Sequence, residues 1–461
     1  MSILEKVKAL VHHEAAGPAL ELDDIQATVL FDRPDPYFGT HVLLRFDTAA
    51  GGRALLARLA PHVRSAADAR DNTGAWIAVA LSHAGLQALE LDPAVLESFP
   101  APFRAGMAAR ADRLQDVGPN APEGWEAPYG SGQLHLAVSI FAPDEVSWRA
   151  AMDTAREQFA GLQGVTLLGS HDFGAQPDSR NPFGYRDNIG NPAVEGSTAP
   201  TWPGQGRPVK AGEFILGYPG EAGVPLAQPG PEEASIGRNG TYVVLRKYHA
   251  DIAAFNRFLR EHGGDADGQE LLAAKLVGRW RSGAPLALAP DRDDPALGAD
   301  RQRNNDFTYA QDQEGLQVPH GCHMRRMNPR DSKLAILTDV NLHRLIRRST
   351  TFGPPYDPDL LEDDGAERGL FFIGLSAKAH ETMEFMQQEW INHGNFIDLA
   401  DERDPIVGQQ PDGAIFTVPE RPVRRRIHGI QSFCTLRGGE YLFMPGLEAL
   451  RRLADPSWEL A

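Results

Sequence analysis

"THVLLRFDTAAGGRALLARLAPHV", Thr40–Val63, decides the fold. Its opening runs β-branched and aliphatic residues side by side, as a strand does, and its continuation returns apolar residues at helical spacing. The same order recurs in "TYVVLRKYHADIAAFNRFLREHG", Thr241–Gly263. A second pair, "AVALSHAGLQAL" from Ala78 and "FIGLSAKAHETM" from Phe372, repeats strand then helix around a shared Leu-Ser junction. Two pairs in the same order point to a duplicated α+β unit.

Between the two copies lies "GSTAPTWPGQGRP", Gly196–Pro208, whose prolines and glycines exclude regular structure. The expected division therefore places an N-terminal unit at 1–195 and a C-terminal unit at 205–461. A second stretch rich in the same residues, Gly217–Gly240, reads as a long surface loop. Its glycines are not a nucleotide fingerprint, because prolines and acids interrupt the spacing and no helix opens directly after them.

Composition narrows the function classes. The chain has 461 residues, 42% apolar and 23% charged, the balance of an ordinary folded protein. Its formal charge of −17 argues against nucleic-acid or anionic-membrane partners, which a net acidic surface repels. No uncharged apolar run approaches the ~18 residues of a membrane span. The first residues lack the apolar core and cleavage site of a secretory signal, so the expected location is the cytoplasm. Only Cys322 and Cys434 are present, which suits a reducing compartment.

Three segments carry candidate chemistry. "PHGCHMRRMNPRD", Pro319–Asp331, sets His323 ahead of a run of arginines and of Pro329, which ends any helix there. His320 beside it suggests a zinc pair, but no further ligand with suitable spacing is evident, and Cys322 reads as a small packed hydrophobe. "NPFGYRDNIGNPAVEG", Asn181–Gly196, is an irregular loop in which Asp187 reads as an Asx turn. "HRLIRRSTTFGPPY", His343–Tyr356, ends an apolar stretch with Arg347 and Arg348, the pattern of cations at a helix end.

Taken together, the three segments resemble the dye-decolorising peroxidases, and their larger bacterial subgroup in particular. That family is marked by a Gly-x-x-Asp-Gly loop, a haem-ligating histidine before an Arg-x-Asn-Pro-Arg run, and a later arginine. The matching stretches here are "GYRDN" (Gly184–Asn188), "HMRRMNPR" (His323–Arg330) and "RLIRRSTTFG" (Arg344–Gly353), and collinear likeness extends over nearly the whole chain. Two positions depart from the pattern. Asn188 stands where glycine is usual, and asparagine is the residue that best replaces glycine at positive φ. Ser349 stands where an Arg-Arg-Gly pattern is common, and serine at a positive φ would send the Arg347 segment along a different path.

The resemblance implies an α+β fold of two ferredoxin-like halves of the dimeric α+β barrel type, each an antiparallel sheet with peripheral helices. It implies a peroxidase that binds haem b (iron protoporphyrin IX), reduces hydrogen peroxide and oxidises dyes, phenols or other small aromatic donors by one-electron steps. By the same likeness His323 ligates the iron, Arg326 pairs with the propionates, Asp187 carries the peroxide proton and Arg347 stabilises charge on the departing oxygen. Glu384 is the candidate acceptor for the other ring nitrogen of His323. Leu370 and Phe372 share one face of the strand "GLFFIG", and the resemblance sets that face above the iron. Trp280 and Trp390 are possible electron relays. The rival readings are a haem carrier without turnover, needing His323 but not Asp187 with Arg347, and a non-haem metal hydrolase using His320 and His323.

Overall fold

The computed structural model describes residues 19–69, 74–174, 179–231, 235–332, 339–455 and 457. The quoted stretch folds as read. Strand β1 (Phe38–Phe46) leads into helix Ala49–Leu59, whose first turn is closed by the Thr48 hydroxyl accepting from the Gly51 N–H at 3.1 Å. Its counterpart, strand β5 (Thr241–Ala250), leads into helix Ile252–Gly263, capped by the Asp251 carboxylate on Ala254 N–H at 2.8 Å.

The first half adds β2 (Trp76–Leu81), β3 (Leu136–Ala142) and β4 (Val165–Gly174), with helix Glu145–Phe159 between the last two. The second half adds short β6 (Ile346–Arg347) and β7 (Thr350–Phe352), then β8 (Gly369–Ser376), the hairpin β9 (Ile415–Val418) and β10 (Arg425–His428), and β11 (Cys434–Met444). These strands pair with one another antiparallel throughout, and the main sheet has nine strands among the described residues, in the order β4-β1-β3-β2-β11-β5-β8-β6 with β7 also on β8. Each half thus has the spatial order fourth, first, third, second of a ferredoxin-like unit.

The echo between Thr40 and Thr241 marks equivalent strands, each the first of its half and each lying between that half's fourth and third strands. The Ala78 and Phe372 echo does not, because β2 is the second strand of its half and β8 the third of the other. What those two segments share is local. Ser82 caps its helix by accepting from Gly85 N–H at 3.0 Å, whereas Ser376 donates to the Glu213 carbonyl at 2.8 Å.

The halves join where Phe443 of β11 pairs with Leu81 of β2, and the sheet curls until β4 lies beside β7. His41 spans that closure with its Nε2 3.1 Å from Thr350 Oγ1. Alternation divides the strands between two cores. Leu43, Leu245, Phe371 and Ile373 point inward, while Val42, Val79, Val244 and Tyr242 point outward beneath the helices. In the first half the space between sheet and helices is filled by side chains. In the second, the outward residues Tyr248, Ala250, Leu370 and Phe372 look into a cavity.

Candidate active site

Five of the seven residues singled out from sequence line this one cavity: His323, Asp187, Arg347, Leu370 and Phe372. Leu370 and Phe372 are there because β8 alternates, sending Phe371 and Ile373 to the opposite core.

His323 opens a short helix, His323–Met327, that stops before Pro329. Its Nδ1 lies 2.9 Å from Oδ2 of Asp404, whose carboxylate is fully buried. Burial works to raise the Asp404 pKa, but the His323 ring and backbone donors outweigh it and leave it below its ordinary value. The other oxygen, Oδ1, accepts from Ile406 N–H at 2.9 Å and Val407 N–H at 3.0 Å, so the carboxylate is held from both sides. With Nδ1 committed, Nε2 of His323 has no hydrogen-bond partner among the described residues.

Asp404 corrects the expectation for Glu384. The Glu384 carboxylate is clamped by Arg110 at 2.8 and 2.6 Å and accepts from the Tyr441 hydroxyl at 3.3 Å, outside the cavity. On helix Ala379–Phe385 it is Met383 that faces the cavity, and the next residue points about 100° away.

Arg326 is also corrected. It is wholly buried, and its guanidinium donates to the carbonyls of Gly321, Trp390, His393 and Glu402 while lying 4.8 Å over the Phe396 ring. It ties the histidine helix to segment 390–402 and does not line the cavity. The cations that do are Arg279, Arg330, Arg344 and Arg347, with Arg33 and Arg186. Burial and the neighbouring Arg330 and Arg347 push Arg279 down to about 9. Burial, then Arg330 and Arg347, likewise push Arg344 down to about 10. Arg330 has a buried Nε with no hydrogen-bond partner. Such a set of mutually repelling arginines is fitted to an anionic guest.

The loop with Asp187 is built by asparagines. Asn181 Oδ1 accepts from Phe183 and Tyr185 N–H groups, making the Asx turn, while Asp187 Oδ2 instead meets Arg33 at 3.4 Å. Asn188 adopts φ 61°, the positive value expected of a glycine replacement. Asn191 bonds to both backbone groups of Arg347, accepting from its N–H at 2.9 Å and donating to its carbonyl at 3.3 Å, which holds the Asp187 loop against β6.

Arg347 lies on a strand, not at a helix end. Ser349, 8% exposed, is not among the residues with positive φ, so the departure there leaves Arg347 turned into the cavity. Among the described residues the Arg347 guanidinium has no ion pair and no hydrogen bond. Arg348, in contrast, is consumed by Asp32 at 2.9 Å and the Thr28 carbonyl at 2.8 Å.

His320 and His323 are not brought together: the His320 ring sits 3.0 Å from the Gln313 carbonyl, away from the cavity. Cys322 is packed in a core, and burial pushes its thiol up to about 11. Trp280 and Trp390 are both buried, the first donating to the Ala289 carbonyl and the second packed on His343.

This arrangement coincides with three comparisons. Residues 226–419 match the family model "Dyp-type peroxidase, C-terminal". A dye-decolorizing peroxidase of Exidia glandulosa is 30% identical, over 98% of this chain and 91% of its own. The chain belongs to the dye-decolorizing peroxidase family. Among solved structures of this family, an ancestral D-type dye decolorizing peroxidase superposes with a TM-score of 0.83 at 26% identity, covering 96% of this chain and 100% of that one. A dye-decolorizing peroxidase in complex with 2,6-dimethoxyphenol gives 0.80 at 27% identity, covering 95% and 100%. The protein is thus a peroxidase of an α+β fold built from two ferredoxin-like halves, and the haem expected of its family is the guest against which the cavity is to be judged.

Sequence reasoning missed Asp404, Arg33 and Asn191. Asp404 precedes Pro405, a visible turn signal, but its reach to a histidine 81 positions away is not local.

Proposed function

We propose that the cavity binds haem b, that His323 is the residue that would ligate its iron, and that the enzyme reduces hydrogen peroxide at the expense of small aromatic donors such as dyes and phenols. One observation carries this reading. A histidine whose second nitrogen is tied to a buried carboxylate shares a cavity with Asp187 and with an arginine that has no partner among the described residues. The residues present fit the group. Nε2 of His323 has no partner among the described residues, Leu370, Phe372, Val277 and Ile391 offer apolar walls, and Arg330, Arg344 and Arg279 supply positive charge for two propionates.

When bound, haem supplies the redox-active iron at which peroxide is cleaved. Asp404 holds the proton of His323 on Nδ1, fixes the tautomer and raises the basicity of Nε2. Asp187 accepts a proton from the near oxygen of peroxide and returns it to the far one, which departs as water. Arg33 orients that carboxylate through its 3.4 Å contact. Arg347, uncommitted beforehand, donates to the departing oxygen as charge develops there. Leu370 and Phe372 keep the space small and dry. Donors need only deliver electrons, so they are not required to enter. Carboxylates as a class ionise at lower pH than imidazoles. Donor turnover is accordingly expected to peak on the acidic side.

The division at 195–205 and a cytoplasmic location go with this reading as proposals. They are supported by the position of the proline-rich connection and by the presence of two unbridged cysteines. A carrier without turnover has no use for an unpaired arginine beside an aspartate, so the catalytic reading is preferred. The test is to saturate purified protein with haem and mix it with peroxide and 2,6-dimethoxyphenol. A haem absorption band with sustained donor oxidation is expected, and a band without turnover would favour the carrier.

A further inference from the structure

Four of the eight methionines, Met324, Met327, Met383 and Met386, line the cavity. They come from two elements, helix His323–Met327 and helix Ala379–Phe385 with its π-helical continuation Met386–Ile391. In each element the two methionines are three positions apart, so they share a face. Leucine fills apolar walls as well as methionine, but only methionine carries a thioether that peroxide oxidises under mild conditions. The remaining described methionines, Met107, Met152 and Met444, lie in the core away from the cavity.

We propose that these four side chains are the enzyme's own site of oxidative modification, taking up oxygen as sulfoxides when peroxide arrives without a donor. The proposal rests on the peroxidase reading above. In the step the O–O bond of hydrogen peroxide breaks and one oxygen forms a bond to sulfur. The other leaves as water with both hydrogens, so sulfur is oxidised and peroxide reduced by two electrons each. Tyr185, Tyr248 and His323 face the same cavity. A reversible sulfoxide intercepts equivalents that would otherwise damage those rings.

Burial provides an internal control. Met383 and Met386 are 3% and 8% exposed, Met444 and Met152 5% and 8%, so peroxide in bulk solvent reaches the two pairs about equally and only the cavity distinguishes them. Haem-loaded protein should be treated with hydrogen peroxide, with and without 2,6-dimethoxyphenol, and the sulfoxide at each methionine measured by peptide mass spectrometry. Several-fold more oxidation at Met383 and Met386 than at the equally buried Met152 and Met444, suppressed by the donor, is expected. Equal oxidation at all sites in protein that binds haem and turns over donor overturns the proposal and leaves the peroxidase reading standing. Failure to bind haem or to turn over defeats that reading instead. A variant with all four changed to leucine, close in volume, should lose its haem band faster under peroxide. A parental lifetime would overturn the protective role. Should that variant fold poorly, the sulfoxide map of the parent still decides.

Discussion

Asp404 and Glu384 are both carboxylates near the cavity, yet only one touches the histidine, and substitution separates their roles. Asp404→Asn keeps an acceptor oxygen at Nδ1 but removes its charge, so the ring becomes a weaker base. The haem reduction potential should rise, and activity should fall about 10- to 100-fold, the usual cost of losing such a partner. Glu384→Gln should leave the potential in place and cost only stability, because its partner is Arg110. A potential that follows Glu384 rather than Asp404, in a spectroelectrochemical titration, would reverse the assignment. Arg347→Leu should retain haem but slow the peroxide-driven change in its absorption by roughly a hundred- to a thousandfold, about 3 to 4 kcal/mol. Stopped-flow mixing reads that rate directly, and parental speed would transfer the role elsewhere in the cavity. His323→Ala should lose the haem or leave it without a protein nitrogen, as its absorption and resonance spectra would report.

At the scale of elements, β5 matters most, since it lies at the centre of its half and ends at the cavity wall. Its Arg246 is 1% exposed and meets Asp116 through two hydrogen bonds of 2.9 and 2.5 Å, while its Nε donates to the Tyr248 hydroxyl at 2.7 Å. The pair locks the strand to the segment that follows helix Ala111–Leu114. Asp116→Ala leaves a buried guanidinium unpaired and should cost about 3 to 5 kcal/mol in urea unfolding. A loss within about 0.5 kcal/mol, the range of an ordinary surface change, would show that water reaches the arginine. Tyr248 also lines the cavity, so the same variant is expected to disturb the haem band.

Across the whole molecule, stability against pH is set by buried groups kept neutral. Burial, reinforced by Arg110, pushes His380 down to about 4, and neither ring nitrogen has a hydrogen-bond partner among the described residues. Burial, with His171 nearby, likewise pushes His41 down to about 3. The unfolded chain takes up these protons near pH ~6.5 and the folded one does not, so stability is intact above that value and declines as pH falls toward 4. Glu440 has the opposite sign: burial pushes it up to about 7, against the effect of backbone donors, so its contribution is complete in acid and is lost as pH rises through 7. His380→Phe should therefore flatten the fall in melting temperature between pH 6.5 and 4, and Glu440→Gln should remove the opposing loss that builds as pH rises from about 4.5 to 7. Each change is on the order of 3 kcal/mol at the far end of its range. Profiles unaltered by these substitutions would assign both pH-dependent losses to other groups.

The sequence by itself determined the strand and helix of each repeat and the three motifs, while the antiparallel α+β class followed from the family resemblance those motifs carry. It also determined that Leu370 and Phe372 share a face, because periodicity and turn chemistry act over a few residues. It extended to Asn188, whose positive φ is a property of one residue. Tertiary structure decided the rest. Which carboxylate meets His323, whether Arg326 faces the haem site or four backbone carbonyls, and which strands of the two halves correspond all depend on how distant segments cross. The two halves show this most plainly: their shared Leu-Ser junctions occupy different places in the sheet, since a strand's position is chosen by the partners it pairs with and the core it covers. Arg347 and Arg348 are neighbours of one chemistry. One is consumed by Asp32 and the other left for the cavity, because Arg347 ends β6 and Arg348 follows it, and the contacts each then meets belong to distant segments that only the folded chain brings together.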